Sequence, residues 1–248
     1  MFPIIKDKWK YESVISPHEY VMHMSDVAER GVVPEVFILV LSSQLIDHIR
    51  SNYRITSFAN NIIINVGGKC IGVKGGFGYG APAACVALEE IIALGAKKVI
   101  VIGMSGALQD ELLIGDVIVC ERAIRDEGTS YHYASPARYA YASKEIVDEI
   151  EGVMRKCNIR HYRGTSWSTD AVFRETTKEV ERYGKEKVLC VEMEASALFT
   201  VAECRGIDIA SAFIISDSLV SRRWRTGFGK AFKSLCALFD RMLHDMAS

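Results

Sequence analysis

Residues 209–217 read Ile-Ala-Ser-Ala-Phe-Ile-Ile-Ser-Asp, an apolar run that ends in a serine and an aspartate. The continuous apolar run Ile209–Ile215 is typical of a strand that is buried on both faces. Similar runs recur along the chain at Val36–Leu41, Ile62–Val66, Val99–Ile102 and Val117–Cys120. We therefore predict a sheet whose central strands are covered by helices.

Helical patterns alternate with these runs. Pro82–Leu94 begins with a proline, which suits a first helical turn, and stops before Gly95. A second helix is predicted from Met193 to Cys204, ending near Gly206. The last helix carries an apolar stripe at Phe228, Phe232, Leu235, Phe239 and Met242. With no linker or repeat in the sequence, we predict a single α/β domain over residues 1–248.

The composition narrows the class of protein. The 248 residues are 49% hydrophobic and 25% charged, with a formal net charge of -1, which predicts no strong affinity for nucleic acid or a membrane surface. We expect no signal peptide after Met1-Phe2-Pro3 and no membrane span, since no apolar run approaches about 20 residues. The seven scattered cysteines include no C-x-x-C motif, so we expect reduced thiols and a cytoplasmic location.

Two glycine-rich segments follow predicted strands. Gly75–Ala81 comes after the strand-like stretch Lys69–Lys74 and loosely matches a dinucleotide-binding fingerprint. That fingerprint expects an acidic residue near the end of the next strand, where this chain continues into Gly103–Ala107. We therefore expect no nicotinamide or flavin cofactor, and interpret both segments as tight turns, either plain or approached by a ligand. The histidines lack the spacing of metal ligands, so no metal site is expected.

Acidic residues beside apolar ones mark two candidate functional segments. One is Val191–Ala195, which reads Val-Glu-Met-Glu-Ala, and the other is Ser216-Asp217. A carboxylate such as that of Glu194 can accept from two sugar hydroxyls at once, and a partly dry aspartate can protonate a leaving group. The plain alternatives are a helix N-terminal acid for Glu194, core packing for Met193 and a turn residue for Asp217.

In chain order, several segments resemble the nucleoside phosphorylase family, which contains the purine nucleoside and uridine phosphorylases. The resembling segments are Ser16-Pro17-His18, Gly75–Pro82, Gly103–Gly106 with Gly115-Asp116-Val117, Ala123–His132, Ser168-Thr169-Asp170, Val191–Ala195 and Ser216-Asp217. The resemblance implies an α/β fold around a mixed, partly barrel-like central sheet flanked by helices. It also implies a pentosyltransferase that cleaves a nucleoside with phosphate into free base and ribose 1-phosphate, with no metal or organic cofactor.

The resemblance assigns roles in the nucleoside half of such a site. Glu194 binds the 2′ and 3′ hydroxyls, Met193 lies against the ribose face, and Glu192 lies nearby, on the base side. Asp217, preceded by Ser216, is the general acid at purine N7, which favours a purine over a uridine nucleoside.

Three further expectations concern the base and a neighbouring subunit. Phe173 stacks on the base, although Val172 fits the aromatic position at least as well. An arginine partners Asp217, and Arg222, Arg223 and Arg225 all remain candidates; we assign Arg223 to substrate binding. His18 resembles a histidine that reaches the 5′-hydroxyl of a neighbouring subunit, so we expect a homodimer or a hexamer built as a trimer of dimers.

The phosphate half of the site departs from the family pattern. Where family members carry Pro-Gly-Asp-Pro followed closely by arginine, this chain reads Leu-Ser-Ser-Gln-Leu-Ile from residue 41. A second family arginine corresponds to Val101, and the hydroxyl residue of the later turn corresponds to Met104. Arg54 resembles the arginine lent by a neighbouring subunit, and we assign Arg54, Ser42 and Ser105 to phosphate binding.

The sequence therefore predicts a phosphorylase of nucleoside salvage, with a purine nucleoside and phosphate as its small-molecule substrates. Uridine remains a second candidate substrate. Two other functions stay open. One is a nucleosidase that uses water, with Ser42, Gln44 or Asp47 near the attacking molecule. The other is a non-catalytic nucleoside-binding subunit.

Overall fold

Eleven strands form one mixed sheet in the part of the chain that the computed structural model describes, residues 4–24, 33–220 and 224–247. The strands are β1 (Val36–Val40), β2 (Ile55–Phe58), β3 (Asn61–Val66), β4 (Lys69–Gly75), β5 (Lys98–Ala107), β6 (Val117–Asp126), β7 (Tyr139–Tyr141), β8 (His161–Thr169), β9 (Cys190–Glu192), β10 (Asp208–Ser218) and β11 (Arg225–Thr226). The strand order is β11-β10-β6-β8-β9-β5-β1-β4-β3-β2, with β7 added on β6.

Seven α-helices flank this sheet within the same residues. They are α1 (Pro17–Met24), α2 (Ser43–Asn52), α3 (Ala81–Ala93), α4 (Lys144–Lys156), α5 (Thr177–Lys185), α6 (Ala195–Arg205) and α7 (Phe228–Ala247). Pro82 lies in the first turn of α3, and Gly95, just beyond that helix, has a φ of 114°. Gly206 caps α6 in the left-handed conformation. The predicted start and stop signals are thus confirmed.

Five of the strands close into a barrel. β5 pairs with β10, β10 with β6, β6 with β8, β8 with β9, and β9 returns to β5. The pairings β5–β10, β6–β8 and β8–β9 are parallel, whereas β6–β10 and β5–β9 are antiparallel. This closure confirms the expected mixed, partly barrel-like sheet.

The core lies on both sides of β5. Val99 and Val101 belong to an apolar cluster that contains residues of α3 and α6. Ile100 and Ile102 belong to a second cluster, with residues of α2, α4 and α7. Because successive side chains of a strand point to opposite faces, a strand packed on both faces needs the continuous apolar run that the sequence shows.

The segment Gly103–Ala107 corrects the sequence interpretation, since it continues β5 and is not a turn. Its glycines serve close packing. A Cβ on Gly103 would lie 2.9 Å from Leu41 Cδ1, and one on Gly106 would lie 2.5 Å from Leu219 Cδ1. A glycine within a strand permits such close approach, and sequence alone does not distinguish this use from a turn.

Strand β10 likewise runs past its predicted end and includes Ser216-Asp217. Its register against β5 shifts there, because Ile215 pairs with Ser105 and Asp217 with the next residue, Gly106. Ser216 is therefore the extra residue of a β-bulge, a feature that re-aims side chains at strand ends. Separately, none of the helices in the described ranges is long and apolar enough to cross a bilayer.

We expect Gly72→Ala to destabilise the protein by about 1–3 kcal/mol through overpacking. A Cβ at Gly72, in β4, would lie 2.3 Å from the fully buried ring of Phe37. The matched control is Gly152→Ala inside α4, where a Cβ meets nothing within 4 Å. That change should stabilise by about 0.5–1 kcal/mol. Urea unfolding measures the free energy of unfolding of both variants. Equal changes in the two variants would contradict the overpacking argument for Gly72.

Candidate active site

A cleft of about 1530 Å³ opens at the carboxyl ends of β5 and β10. Ligand pockets typically occupy about 300–1,000 Å³, so the cleft has room for a nucleoside and a second small substrate. Eight of the predicted site residues line it, namely Ser42, Ser105, Phe173, Glu192, Met193, Glu194, Ser216 and Asp217. The fold thus brings together the two acidic segments, which lie more than twenty residues apart in sequence.

The bulge in β10 sets the position of Asp217. The Ser216 hydroxyl lies 2.7 Å from Asp217 Oδ1, to which it donates, and 3.2 Å from the carbonyl oxygen of Ser105. The neighbouring strand carries Gly106, where an added Cβ would lie 3.3 Å from Asp217 Oδ2. The aspartate is therefore held at the strand edge with one side open to the cleft.

The donor to the other oxygen of Asp217 is Trp224, whose indole Nε1 lies 2.7 Å from Oδ2. An arginine was expected in this role. Arg222 and Arg223 lie outside the described residues, while Arg225 is exposed on β11.

Glu194 lies at the N-terminal cap of α6 and is 7% exposed. Its Oε1 accepts from the backbone N–H of Gly80 at 2.7 Å, and its Oε2 accepts from that of Met193 at 3.2 Å. Burial, together with the nearby Glu192, raises the pKa of Glu194 to about 7, against these two hydrogen bonds. The glycine segment that ends at Gly80 therefore approaches a carboxylate of the protein itself.

Glu192 is 5% exposed and accepts four hydrogen bonds. Its Oε2 accepts from the backbone N–H groups of Glu194 (2.8 Å) and Ala195 (2.6 Å), and its Oε1 from the hydroxyls of Ser166 and Ser168. Burial raises the pKa of Glu192 despite these bonds. Although Glu192 borders the cleft, its acceptor oxygens are occupied in holding the β9–α6 turn that carries Glu194.

Glu175 is a cleft residue that sequence reasoning missed. It follows a short 3-10 turn, Val172–Arg174, and lines the cleft with Asp217 and Phe173. Burial first, and then the charges of Asp217 and Glu179, raise the pKa of Glu175 to about 7. An acidic residue directly after the predicted base-stacking segment was the available signal. Phe173 itself is 96% exposed at the cleft rim.

The described residues that line the predicted phosphate region carry no charge. Leu41, Ser42, Ser43, Gln44 and Met104 line that part of the cleft. Ser42 caps α2 by accepting from the N–H of Leu45 at 3.4 Å. The first residues of this helix therefore border the cleft. Ser105 also lines it, with its hydroxyl buried beside the Cys190 thiol.

Two predicted site residues, His18 and Arg54, are not among the residues that line the cleft. His18 is exposed on α1, and Arg54 is exposed just before β2. Lys74, near the end of β4, is also outside the lining, because it is buried and pairs with Glu90 on α3 at 2.7 Å. In the described part of the chain, the basic residues that line the cleft are Lys185 and Lys187.

The arrangement can stabilise positive charge and deliver a proton. Glu194 and Asp217 border one open space, and Glu175 adds a second carboxyl group beside Asp217. Such a set suits a cationic sugar ring and a leaving group that gains electrons. Among the described residues, no cluster of three or more His, Cys, Asp or Glu side chains could hold a metal ion.

Comparison with known proteins identifies the same family. Residues 43–244 match the family model of the phosphorylase superfamily. A guanosine phosphorylase of Halorubrum lacusprofundi is 29% identical over 144 residues, which are 58% of this chain and 60% of the relative. The chain spans about 60% of the length of the curated relatives it matches.

Two solved structures share the fold. A uridine phosphorylase from Vibrio fischeri ES114 superposes with a TM-score of 0.69 at 30% identity, covering 87% of this chain and 90% of that one. A purine nucleoside phosphorylase from Toxoplasma gondii superposes with a TM-score of 0.76 at 18% identity, covering 87% of this chain and 92% of that one.

We expect the buried Glu194 to make stability pH-dependent. Its folded pKa of about 7 lies above the ordinary value of 4.5, so the folded state holds a proton that the unfolded state has lost between these pH values. The Glu194 contribution is therefore most favourable below pH 4.5 and declines as the pH rises to about 7.

In Glu194→Gln this decline should vanish, so the variant should gain on the order of 1–3 kcal/mol relative to wild type between pH 5 and pH 8. Urea unfolding across this range measures the difference. Glu12→Gln, at an exposed position, is the control. A difference between Glu194→Gln and wild type that stays constant with pH would contradict the burial argument.

Proposed function

We propose, since the chain belongs to the phosphorylase superfamily, that it cleaves the N-glycosidic bond of a purine nucleoside with phosphate. The products are the free purine and ribose 1-phosphate. The observation that carries the proposal is the single cleft in which Glu194 and Asp217 meet, because the reaction needs one group for the sugar and one for the base.

The ribose contacts come from the β9–α6 turn. Glu194 accepts hydrogen bonds from the 2′ and 3′ hydroxyls, and Met193 lies against the sugar ring. The ionised Glu194 also stabilises the positive charge that develops on the ribose as the bond breaks. The four hydrogen bonds to Glu192 support this role, because they fix the turn on which Glu194 stands.

Asp217 acts on the leaving base. As a carboxylic acid it donates to purine N7, so that the departing base does not carry the full negative charge. Glu175 lies close enough for the charge of Asp217 to act on it, and that charge contributes to the raised pKa of Glu175. A second carboxyl group therefore stands at the base side of the cleft, beside Asp217.

Phosphate binds beside the first turn of α2. The N-terminal end of a helix carries unpaired N–H groups and a partial positive charge, both of which favour an anion. Ser42, the N-cap of this helix, adds a hydroxyl group. Arg54 and His18, which are exposed and remote from the cleft of their own protomer, serve the site of a neighbouring subunit in a homodimer or a trimer of dimers.

Hydrolysis is the second candidate function, favoured by the uncharged wall of Leu41, Ser42, Gln44 and Met104. Each charge-assisted hydrogen bond to phosphate contributes about 1.5–3 kcal/mol, so a wall without arginine among its described residues binds phosphate more weakly and favours water as the nucleophile. The two reactions share the nucleoside half of the site and differ in the sugar product.

Product analysis separates the reactions. We expect the protein to convert inosine, adenosine or guanosine to ribose 1-phosphate when phosphate is present, at a rate that rises with phosphate concentration. Uridine should be cleaved more slowly, because Asp217 is matched to N7 of a purine. If free ribose forms at a rate that does not depend on phosphate, the protein is a hydrolase and the phosphorylase proposal is wrong. Binding without any cleavage would leave a nucleoside-binding protein.

Asp217→Asn should lower kcat for purine nucleosides by about 10²–10⁴-fold, since asparagine lacks the carboxylic proton. The effect on KM should be small, because the amide keeps the size and polarity of the side chain. Asp208→Asn, at the exposed opposite end of the same strand, is the matched control and should retain wild-type kcat. An unchanged kcat in Asp217→Asn would remove Asp217 from the mechanism.

A further inference from the structure

The hydrogen bond between Trp224 and Asp217 has an unusual setting. The indole is 69% exposed, yet its Nε1 donates to Asp217 Oδ2 at 2.7 Å. Besides this bond, the ring makes an edge-to-face contact with Phe228, at 6.2 Å between ring centres. An exposed ring with so little packing contributes little to folding, so its position at the cleft calls for another explanation.

The backbone brings the two residues together. Strand β11 pairs with the end of β10, with Asp217 opposite Thr226 and Ser218 opposite Arg225. Trp224 directly precedes β11, so this pairing sets the indole beside the carboxylate. Ser216 donates to the second oxygen, Oδ1. Each carboxylate oxygen thus has one neutral donor, which fixes the plane of the group.

We propose that Trp224 is the positioning residue of Asp217, a role that its neutral indole N–H fulfils without a cation. The inference rests on the proposed function, in which Asp217 protonates the leaving purine. Trp224 holds the carboxyl group toward the base through Oδ2. No ion pair of Asp217 occurs among the described residues.

The neutrality of the donor matters for an acid. A hydrogen bond to a carboxylate favours its ionised form, and a guanidinium favours that form more strongly than a neutral N–H does. An acid must hold its proton before the bond breaks, so an indole orients Asp217 at a smaller cost to protonation than an arginine would. The same ring also covers the base side of the cleft that it lines.

Charged groups on neighbouring elements act on the same carboxyl. Glu175 precedes α5 and acts on Asp217 through its charge, Glu194 begins α6 in the same cleft, and Arg225 lies on β11. Because Glu175 and Glu194 titrate as well, the useful measurement is the displacement of the pH profile between variants.

The test compares wild type, Trp224→Phe and Trp224→Arg in kcat and KM for purine nucleosides between pH 5.5 and 9. Trp224→Phe keeps an aromatic ring without a donor, and should lower the maximal kcat by about 10- to 100-fold with KM nearly unchanged. The alkaline limb of the pH profile of kcat should move to higher pH in this variant, because the carboxylate loses a hydrogen-bond donor. Trp224→Arg should move that limb to lower pH. Trp9→Phe, in the short helix Lys8–Lys10 away from the cleft, is the control.

A double-mutant cycle tests the route of the effect. In Asp217→Asn, where the carboxylic proton is already absent, Trp224→Phe should cause little further loss of kcat. Equal losses in both backgrounds would overturn the positioning role, as would an unchanged kcat and alkaline limb in Trp224→Phe. A change confined to KM would assign Trp224 to substrate packing and would also overturn it.

Failure of the inference about Trp224 can be distinguished from failure of the proposed function. If wild type cleaves a purine nucleoside while Trp224→Phe behaves like wild type, the inference about Trp224 fails and the proposed function stands. If wild type cleaves no nucleoside with either phosphate or water, both fail together. Thermal unfolding of each variant should match wild type closely, because the indole is largely exposed.

Discussion

The parallel pairing of β5 with β10 is the constraint on which the site depends. It joins two strands that are buried on both faces, and it provides one of the contacts that close the barrel. Its register shift at Ser216 then brings Asp217 beside Gly106, where a larger residue would not fit. The barrel thus carries the candidate acid on its rigid core. A carboxyl placed in this way loses little orientational freedom when a substrate binds.

The β9–α6 turn is organised by buried carboxylates. Glu192 uses its acceptor capacity on two backbone N–H groups and two hydroxyls, and so fixes the first turn of α6. Glu194 is left with two backbone donors and an exposure of 7%. Its raised pKa is the cost of placing a second carboxyl in the same buried region. Sugar hydroxyls would offset that cost, because they donate to the charged form.

Much of this arrangement follows from the sequence, and the exceptions have physical reasons. Apolar runs marked the central strands, and Pro82 and Gly206 marked helix ends, because these signals are local. The extension of β5 through Gly103–Ala107 was missed, since glycines that allow Leu41 and Leu219 to pack closely look like glycines of a turn.

The partners of the site residues were harder to predict. Glu175 and Trp224 reach Asp217 through tertiary contacts, and neither their spacing nor their residue type encodes that contact.

The distribution of charge bears on how such a site could bind two substrates. Among the described residues, the cleft is bordered by seven carboxyl groups and two lysines, whereas the wall beside α2 is uncharged; they are those of Asp110, Glu111, Glu175, Glu181, Glu192, Glu194 and Asp217, with Lys185 and Lys187. This field favours a cationic ribosyl group and opposes a phosphate dianion. The opposition is reduced when Glu175 and Glu194 hold protons, which their pKa values of about 7 permit near neutral pH. Phosphorolysis therefore needs cations beside the α2 wall, whereas attack by water needs none. The same acidic field thus supports departure of the base in either reaction, and the source of positive charge decides which nucleophile follows.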